Sequence, residues 1–227
     1  VIGEAVARIR MLDGGERVEI IVVDGDRSGE TLRAISAVDV RKLISEPGRG
    51  CQLNRGAREA SGEVLVFLHA DTALPRDALR LIGQAMADEP LSGGAFDLRI
   101  DSPRPIFRLI ERVASRRSRL TRIPYGDQAI FLRRACFLAL GGFRELPIME
   151  DVELMRRLRL SGGRIAFLPA RVVTSARRWE SEGALYATLR NWALITLFSL
   201  GIDAKLLARW YRPQGSVGRS GLPKALP

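Results

Sequence analysis

The stretch that most constrains the fold is residues 63–72, in which an unbroken apolar run leads directly into a polar tip. An apolar run of this kind, rich in valine and phenylalanine, is typical of a strand that is buried on both faces of a sheet. His69 and Asp71 follow the run, and Leu74 and Pro75 end it. Because ligands of open α/β sheets sit at the carboxyl ends of the strands, we expect His69 and Asp71 to lie at a ligand crevice.

Asp71 is a candidate ligand for a divalent cation. Mg²⁺ and Mn²⁺ take oxygen ligands from one or two carboxylates together with phosphate oxygens, so a nucleotide diphosphate could be held here with its cation. The alternative is that Asp71 only caps the turn before Pro75. His69 is the only histidine of the chain, and a lone histidine is more often structural, but its place beside Asp71 makes it a second candidate.

Strand and helix patterns alternate along the chain. Strands are predicted over residues 18–23, 40–44, 63–69, 93–100, 129–132 and 164–167, and helices over residues 4–12, 30–37, 52–60, 77–87, 105–122, 151–160 and 185–200. The order in the first half argues for a mainly parallel sheet with right-handed crossovers. We expect the second half to continue the same domain, and the Gly-, Pro- and Ser-rich tail over residues 213–227 to be disordered.

The charge of the chain points to anionic partners. With 46% hydrophobic and 27% charged residues the composition is that of an ordinary globular protein, yet the net charge is +10 and almost all of the positive charge is arginine. Arginine binds phosphate and carboxylate through a planar fork. An anionic substrate, nucleic acid and an acidic membrane surface are therefore candidates, and an arginine-biased surface without a partner is the alternative.

The two cysteines, Cys51 and Cys136, form no CxxC pair and have no histidine nearby. They are typical of reduced intracellular thiols rather than of a disulfide framework or a zinc site. No secretory signal is visible, but the chain opens at Val1 rather than at a methionine, which is compatible with a missing N-terminal segment.

Acidic residues recur at strand ends and helix starts. Asp24 follows a predicted strand and can accept a hydrogen bond from a base or ribose, although Asp24, Gly25 and Asp26 also favour a tight turn. Glu150 and Asp151 open a predicted helix, where carboxylates also complement the helix dipole.

Eight short motifs occur here in the order found in family 2 glycosyltransferases with a GT-A fold, which the chain resembles over roughly residues 1–212. In particular it is similar to a small bacterial branch connected with arsenosugar biosynthesis. The motifs lie at residues 22–25, 50–57, 68–72, 93–96, 124–128, 141–143, 149–154 and 175–179.

The resemblance implies a donor site. By it Asp24 contacts the nucleobase, and Glu4 closes the other side of the nucleoside. Arg178 and Trp179 resemble the end of the family's QxxRW signature, although the glutamine is absent. The donor-binding residues that the resemblance implies are Glu4, Asp24, Asn54, Ala70, Arg178 and Trp179.

The resemblance also implies the catalytic groups. Asp71 stands where the last aspartate of the family's DxD motif binds Mg²⁺ or Mn²⁺, and His69 replaces the first aspartate. Asp151 matches the base that deprotonates the acceptor, with Glu150 beside it. The implied acceptor-side residues are Asp127 and Gln128.

This chain departs from the family pattern at its N-terminal end. The family begins with a central strand and an Asn-Glu pair, whereas here only three residues precede Glu4, so the first strand is expected to be truncated. The fold expected is an α/β GT-A-like mixed, mostly parallel sheet flanked by helices, in one domain over residues 1–212. The implied function is transfer of a sugar, with inversion, from a nucleotide-diphosphate donor to a small-molecule or lipid-linked hydroxyl acceptor.

Two other classes stay open. A nucleotidyltransferase would also place acidic residues at strand ends, but it would add a Gly- and Lys-rich triphosphate loop, for which residues 48–50 are the one candidate. A basic nucleic-acid-binding module would use the charge of +10. Since no nucleic-acid motif occurs and few aromatics interleave the arginines, we expect no nucleic-acid partner.

The predicted helix over residues 105–122 is basic and amphipathic, and such a helix can lie on an anionic membrane surface. The apolar run over residues 192–202 is short of the roughly 20 residues that a spanning helix needs. The alternative is that both helices pack onto the sheet. We expect a cytoplasmic protein without spanning helices, and peripheral contact with the inner face of the membrane as a further hypothesis.

Overall fold

The computed structural model describes residues 2–87 and 90–211. Its helices are α1 (Ile2–Arg10), α2 (Glu30–Arg33), α3 (Arg49–Glu59), α4 (Ala78–Met86), α5 (Pro105–Thr121), α6 (Arg134–Ala139), α7 (Glu150–Leu160), α8 (Arg177–Glu182), α9 (Ala184–Ser199) and α10 (Ala204–Ala208). Its strands are β1 (Ile20–Asp24), β2 (Val40–Ile44), β3 (Val64–Val66), β4 (Thr72–Ala73), β5 (Leu91–Asp101), β6 (Phe131–Arg133) and β7 (Arg164–Ser175). Two 3₁₀ turns lie at Gly15–Arg17 and Gly126–Gln128. The predicted disordered tail, residues 213–227, lies outside the described residues.

The strands form a mixed α/β arrangement, as predicted. β1 and β2 pair in parallel, and a five-stranded sheet has the order β3-β6-β5-β7-β4. Within it β5 and β7 are parallel, while the other neighbours are antiparallel. Among the described residues no strand pairs with both β1 and β3. The parallel crossover order predicted for the first half therefore holds for β1 and β2, whereas β3 finds its partner in the antiparallel β6.

Strand β3 is buried on both faces, as its apolar run predicted. Leu65 and Phe67 pack into one core cluster, with α7 and the Phe137 and Phe143 rings. Val64, Val66 and Leu68 are partly buried and pack against a second cluster, which contains Phe96, Phe107 and Phe131. The strand is shorter than predicted because the chain turns after Leu68, where the Thr72 amide donates to the His69 carbonyl at 3.0 Å. This turn places His69 and Asp71 at the end of the sheet.

The last strand is much longer than predicted. Pro169 suggested a strand end, since proline cannot donate a ladder hydrogen bond. The register between β5 and β7 instead passes from Phe96–Leu168 to Asp97–Arg171, so Pro169 and Ala170 form a bulge without a partner. A bulge accommodates the proline and lets the strand continue to Ser175. The predicted helix over residues 30–37, in contrast, ends at Arg33.

Helix α5 packs its apolar face onto the sheet. Phe107 and Ile110 are buried in the core, whereas Leu109 and Leu120 are exposed. Helix α9 buries Ala187 and Leu194 and exposes Leu185 and several further apolar side chains. In the part of the chain that the structure describes, no helix combines the length and the apolarity that crossing a membrane requires.

Candidate active site

A cavity of about 220 Å³ opens at the end of the five-stranded sheet. The turn after β3, the 3₁₀ turn before β6, the start of α7 and the junction of β7 with α8 contribute to it, together with residues of α3 and α9 and Tyr211. Its polar and charged lining comprises Arg49, His69, Asp71, Tyr125, Asp127, Glu150, Asp151, Thr174, Ser175, Arg178, Asn191 and Tyr211. The fold thus brings together both predicted metal ligands, both predicted catalytic carboxylates, and Asp127, Arg178 and Trp179.

Asp151 is fixed from both sides by backbone amides. Its Oδ2 accepts a hydrogen bond from the Gly126 amide at 2.5 Å, and its Oδ1 accepts one from the Val152 amide at 2.7 Å. The residue before the helix, Met149, has a φ of +67°, and Ala129 after the 3₁₀ turn has a φ of +48°. Non-glycine residues in this region carry strain, which is often found where a site imposes the geometry. The carboxylate is therefore held in one orientation at the cavity wall.

The close approach at Gly126 requires a residue without a side chain. A Cβ added there would lie 2.8 Å from His69 Nε2, 3.1 Å from Asp151 Oδ2 and 3.2 Å from Arg49 Nη2. The first distance is too short for a carbon atom, and the other two are tight, so a side chain at this position would displace His69 and press on Asp151 and Arg49. Gly126 therefore sits at the point where the predicted metal side and the predicted base side of the cavity meet.

Arg49 connects two of the predicted site residues. Its Nε lies 3.1 Å from Oε1 of Glu150, whose side chain is 3% exposed. Its Nη2 lies 2.9 Å from His69 Nδ1 and also contacts Nε2. Burial, and then the charges of Arg49 and Arg178, lower the pKa of His69 to about 3. His69 is therefore neutral at physiological pH and can act as a hydrogen-bond acceptor or as a nitrogen ligand.

Two polar atoms at the cavity have no partner among the described residues. Asp127 Oδ1 and the Tyr125 hydroxyl are both buried and without a hydrogen bond. Burial, and then the charge of Asp151, raise the pKa of Asp127 to about 6. The Tyr125 ring carries the Arg117 guanidinium 3.2 Å from its centroid. Since buried polar groups are normally paired, these two atoms are ready to bind a polar group that enters the cavity.

Arg178 and Trp179 lie at the start of α8, as part of the cavity wall. Trp179 stacks edge-on against Phe107, with ring centroids 6.3 Å apart, which anchors the helix to the core. The Arg178 guanidinium lies 4.6 Å from the ring centroid of Tyr211. Burial lowers the pKa of Arg178 and the charge of Glu182 opposes that shift. The cavity therefore presents two guanidinium groups, those of Arg49 and Arg178.

Five predicted site residues do not line this cavity: Glu4, Asp24, Asn54, Ala70 and Gln128. Glu4 lies on α1, with an exposed side chain 3.6 Å from Arg8. Asp24 ends β1, is 8% exposed, and accepts a hydrogen bond from the Asp26 amide at 3.0 Å. Its Oδ2 is buried without a partner among the described residues.

Asn54 and Gln128 are engaged inside the protein. Asn54 exchanges two hydrogen bonds of 2.8 Å with the backbone of Phe143, which fastens the loop over residues 141–143 to α3. Gln128 is 1% exposed; its Oε1 accepts from Ser118 and from the Tyr125 amide, and its Nε2 donates to Phe96. Gln128 thereby holds the 3₁₀ turn that carries Asp127.

Arg49 and Tyr125 are functional candidates that the sequence did not single out. Arg49 appeared only as part of a candidate phosphate loop for a different enzyme class. The signal that could have found it is its place between two glycines, of which Gly48 has a φ of +131°. Tyr125 lies within the motif over residues 124–128 that contains Asp127, but its hydroxyl gave no sequence signal of its own.

The side chains of Asp71 and His69 suit a divalent cation that takes most of its ligands from substrate phosphates and water. Among residues 2–87 and 90–211 no group of three or more His, Cys, Asp or Glu side chains could hold a metal ion. Asp71 offers a carboxylate and His69 a neutral imidazole at the same wall. Mg²⁺ and Mn²⁺ are commonly bound by one or two protein ligands together with substrate phosphates, so this donor set fits such an ion.

Several solved structures have a fold similar to that of this chain. The mannosyltransferase PcManGT from Pyrobaculum calidifontis, in complex with GDP-Man and Mn²⁺, superposes with a TM-score of 0.63 at 21% identity and covers 93% of this chain and 61% of its own. TarS of S. aureus, residues 1–349, gives a TM-score of 0.59 at 18% identity, with 86% and 61% covered. The same TarS segment with UDP-GlcNAc gives 0.57. These likenesses confirm the predicted GT-A-like fold.

Sequence comparisons identify the family. The probable glycosyltransferase YdaM of Bacillus subtilis (strain 168) is 25% identical over 225 residues, which cover 87% of this chain and 51% of that protein. The chain thus spans about half the length of this curated relative. The model of the family described as glycosyl transferase family 2 matches residues 1–143. The chain therefore belongs to glycosyl transferase family 2.

Proposed function

We propose that the chain transfers a sugar from a nucleoside-diphosphate donor to a hydroxyl acceptor, with Asp151 as the base. The observation that carries this proposal is a shared cavity. The Asp151 carboxylate, which two backbone amides fix in orientation, lines the same cavity as Asp71, His69 and Arg178. Family membership and the fold support the reaction class. The nucleotide sugars named for the neighbours, GDP-Man and UDP-GlcNAc, support a nucleoside-diphosphate donor.

The diphosphate would be held by two arginines and by a divalent cation. Arg178 and Arg49 supply guanidinium forks, which bind phosphate oxygens with geometry that lysine lacks. Asp71 and His69 would hold a divalent cation, Mg²⁺ or Mn²⁺, which offsets the charge that builds on the leaving diphosphate. Binding of the phosphates would draw the Arg49 guanidinium away from His69 and free its imidazole nitrogen.

The acceptor hydroxyl would lose its proton to Asp151. General-base assistance requires a carboxylate within hydrogen-bond reach of the proton, in a fixed orientation. The bonds from Gly126 and Val152 provide that orientation. A single base suffices because the diphosphate is a good leaving group. The acceptor oxygen would attack the anomeric carbon from the face opposite to the diphosphate, which would invert the configuration of that carbon. Glu150, paired with Arg49, positions the arginine rather than facing the acceptor.

The acceptor would enter beside Asp127 and Tyr125. Their unpartnered buried atoms, Asp127 Oδ1 and the Tyr125 hydroxyl, suit a second hydroxyl of the acceptor, since one accepts and the other can donate or accept. Gln128 supports this subsite through the hydrogen bonds that hold its turn. That the acceptor is a small molecule or a lipid-linked compound stays a prediction. The cytoplasmic location and the peripheral membrane contact also stay predictions.

The nucleoside would extend away from the cavity toward β1. The buried Asp24 Oδ2 without a partner among the described residues suits a donor from the nucleobase. The roles predicted for Glu4, Asn54 and Ala70 stay predictions; Asn54 is placed to act through the loop that contains Phe143.

Two measurements test the proposal together. The protein is incubated with cell extract, Mn²⁺ and a panel of nucleotide sugars, and glycosylated products are sought by mass spectrometry. Thermal-shift screening of nucleoside diphosphates, with Mn²⁺ and with chelator, reports donor binding independently of the acceptor. A metal-dependent shift together with a product whose mass rises by one sugar is expected. Absence of both would refute the proposal.

A further inference from the structure

A second cleft, which shares no lining residue with the catalytic cavity, is lined by arginines. It has a volume of about 160 Å³ and lies between α5 and the β5–β7 pair. Its walls contain Arg112, Arg116, Arg119 and Arg171, with Asp97, Leu98, Glu111 and Ser115 between them. This small, polar volume is below the usual size of a site for a whole drug-sized ligand. It is suited to a compact charged group.

Three of these arginines have no counterion within residues 2–87 and 90–211. Glu111 is buried and is engaged by the Ile100 amide and by Arg108, and Asp97 pairs with Arg119 at 2.9 Å. Among the residues that the structure describes, no hydrogen bond or ion pair involves the guanidinium group of Arg112, Arg116 or Arg171. The cleft therefore carries uncompensated positive charge.

Two features of the fold assemble this charge. Arg112, Arg116 and Arg119 recur at helical spacing on one face of α5, where like charges one turn apart repel. Arg171 reaches the cleft from β7 immediately after the bulge at Pro169 and Ala170, in register with Asp97. Bulges commonly re-aim side chains near binding sites. An anion bound between these arginines would offset their mutual repulsion, which explains why the fold gathers them in one cleft.

We propose that this cleft binds a phosphate group. Guanidinium groups match phosphate oxygens through paired hydrogen bonds, and a phosphate monoester carries enough charge to offset more than one arginine. Ser115 Oγ accepts from the Leu98 amide at 3.2 Å, so its own proton can be donated to the same anion. The phosphate belongs to a small molecule or to a lipid headgroup. The inference does not rest on the glycosyl-transfer activity.

The test compares two triple variants of equal charge. The cleft variant carries Arg112→Ala, Arg116→Ala and Arg171→Ala, and the control carries Arg17→Ala, Arg58→Ala and Arg156→Ala, which are exposed arginines elsewhere. Binding of inorganic phosphate is measured by calorimetry at constant ionic strength. A loss of about tenfold or more in the cleft variant alone is expected, since charge-assisted bonds to phosphate are removed. The single variant Arg171→Ala, expected to lose about threefold, replaces the triple variant if that fails to fold.

A second arm separates the two sources of phosphate. Sedimentation with phosphatidylcholine vesicles, with and without phosphatidic acid, is compared for the same proteins. Co-sedimentation that requires phosphatidic acid and is lost only in the cleft variant identifies a headgroup, and binding of free phosphate lost only there identifies a soluble ligand. Equal losses in both triple variants, or no loss in either, would overturn the inference. So would phosphate binding that is lost in Arg178→Ala but kept in the cleft variant, because the phosphate would then occupy the catalytic cavity.

Discussion

The Gly126 amide donates a hydrogen bond to Asp151 Oδ2 across 2.5 Å, joining two segments that lie 25 residues apart in the chain. This bond fixes the proposed base, and the missing side chain of Gly126 lets His69 and Arg49 approach the same point. The two sides of the proposed reaction, leaving group and acceptor, therefore meet at one glycine.

Replacing that glycine should disturb both sides at once. In Gly126→Ala the new Cβ would lie 2.8 Å from His69 Nε2, so His69 and Asp151 must shift. Because displacements of about 1 Å can cost about 100-fold in rate, we expect turnover to fall by one to two orders of magnitude. The measurement is nucleoside diphosphate release from the donor under saturating conditions.

The control for this change is Gly83→Ala in α4, where, apart from the local helix backbone, no atom of the described residues lies within 4 Å of the added Cβ. Alanine should leave turnover unchanged there and slightly raise the melting temperature, since it favours the helix. Equal losses in both variants would argue against a special role of Gly126.

Two adjacent arginines provide a matched test of donor binding. Arg178 lines the cavity, whereas its exposed neighbour Arg177 does not. Removing a charge-assisted phosphate contact costs about 1.5–3 kcal/mol, so Arg178→Ala should weaken nucleoside-diphosphate binding by about ten- to a hundredfold. Arg177→Ala should change it little. Calorimetric titration of both variants checks this, and similar affinities for the two would remove Arg178 from the diphosphate site.

Asp71→Ala should weaken the metal-dependent part of donor binding and leave the rest. Without its carboxylate the two predicted metal ligands are reduced to the neutral imidazole of His69, so the affinity for donor in Mn²⁺ should fall to the value seen with chelator. Titrations of wild type and variant, each with Mn²⁺ and with chelator, measure the difference. Asp77→Ala, a surface change at the start of α4, is the control. A donor affinity of Asp71→Ala that still rises with Mn²⁺ would place the metal elsewhere.

Asp127 should make the stability of the protein depend on pH. Burial and the charge of Asp151 raise its pKa from 3.8 to about 6, so the folded state holds its proton more tightly than the unfolded state does. The stabilisation is present below pH 3.8 and is lost as the pH rises to about 6; it amounts to at most about 3 kcal/mol. Relative to wild type, Asp127→Asn should therefore be more stable at neutral pH than at acidic pH.

Urea denaturation of both proteins at several pH values above and below 6 measures this difference. A difference in the free energy of unfolding that does not change with pH would show that Asp127 titrates normally.

The elements with strong local patterns could be predicted from the sequence. β2 has the predicted bounds, α5 and α7 begin and end within one residue of them, and the apolar run of β3 is buried on both faces. Partner choice could not be predicted, because pairing of β3 with the antiparallel β6 depends on contacts between segments over 60 residues apart. Pro169 was misleading because a bulge, a feature of two strands, absorbs it.

The candidate site was predictable where a motif carried the chemistry. Asp71, Asp151 and Arg178 do meet in one cavity. Arg49 was not predictable as a site residue, since its role comes from Glu150 and His69, which approach it only in three dimensions. Gln128 shows the converse: a polar residue inside a motif whose side chain turns inward and holds the backbone.

The central claim is tested most directly by Asp151→Asn. Asparagine keeps the shape and an oxygen that can accept from Gly126, but it cannot take a proton from the acceptor. Donor affinity, measured by calorimetry with Mn²⁺, should stay within about twofold of wild type, while turnover to the glycosylated product should fall by about 100-fold or more, the usual contribution of a general base. Turnover close to wild type, with donor binding intact, would contradict the account.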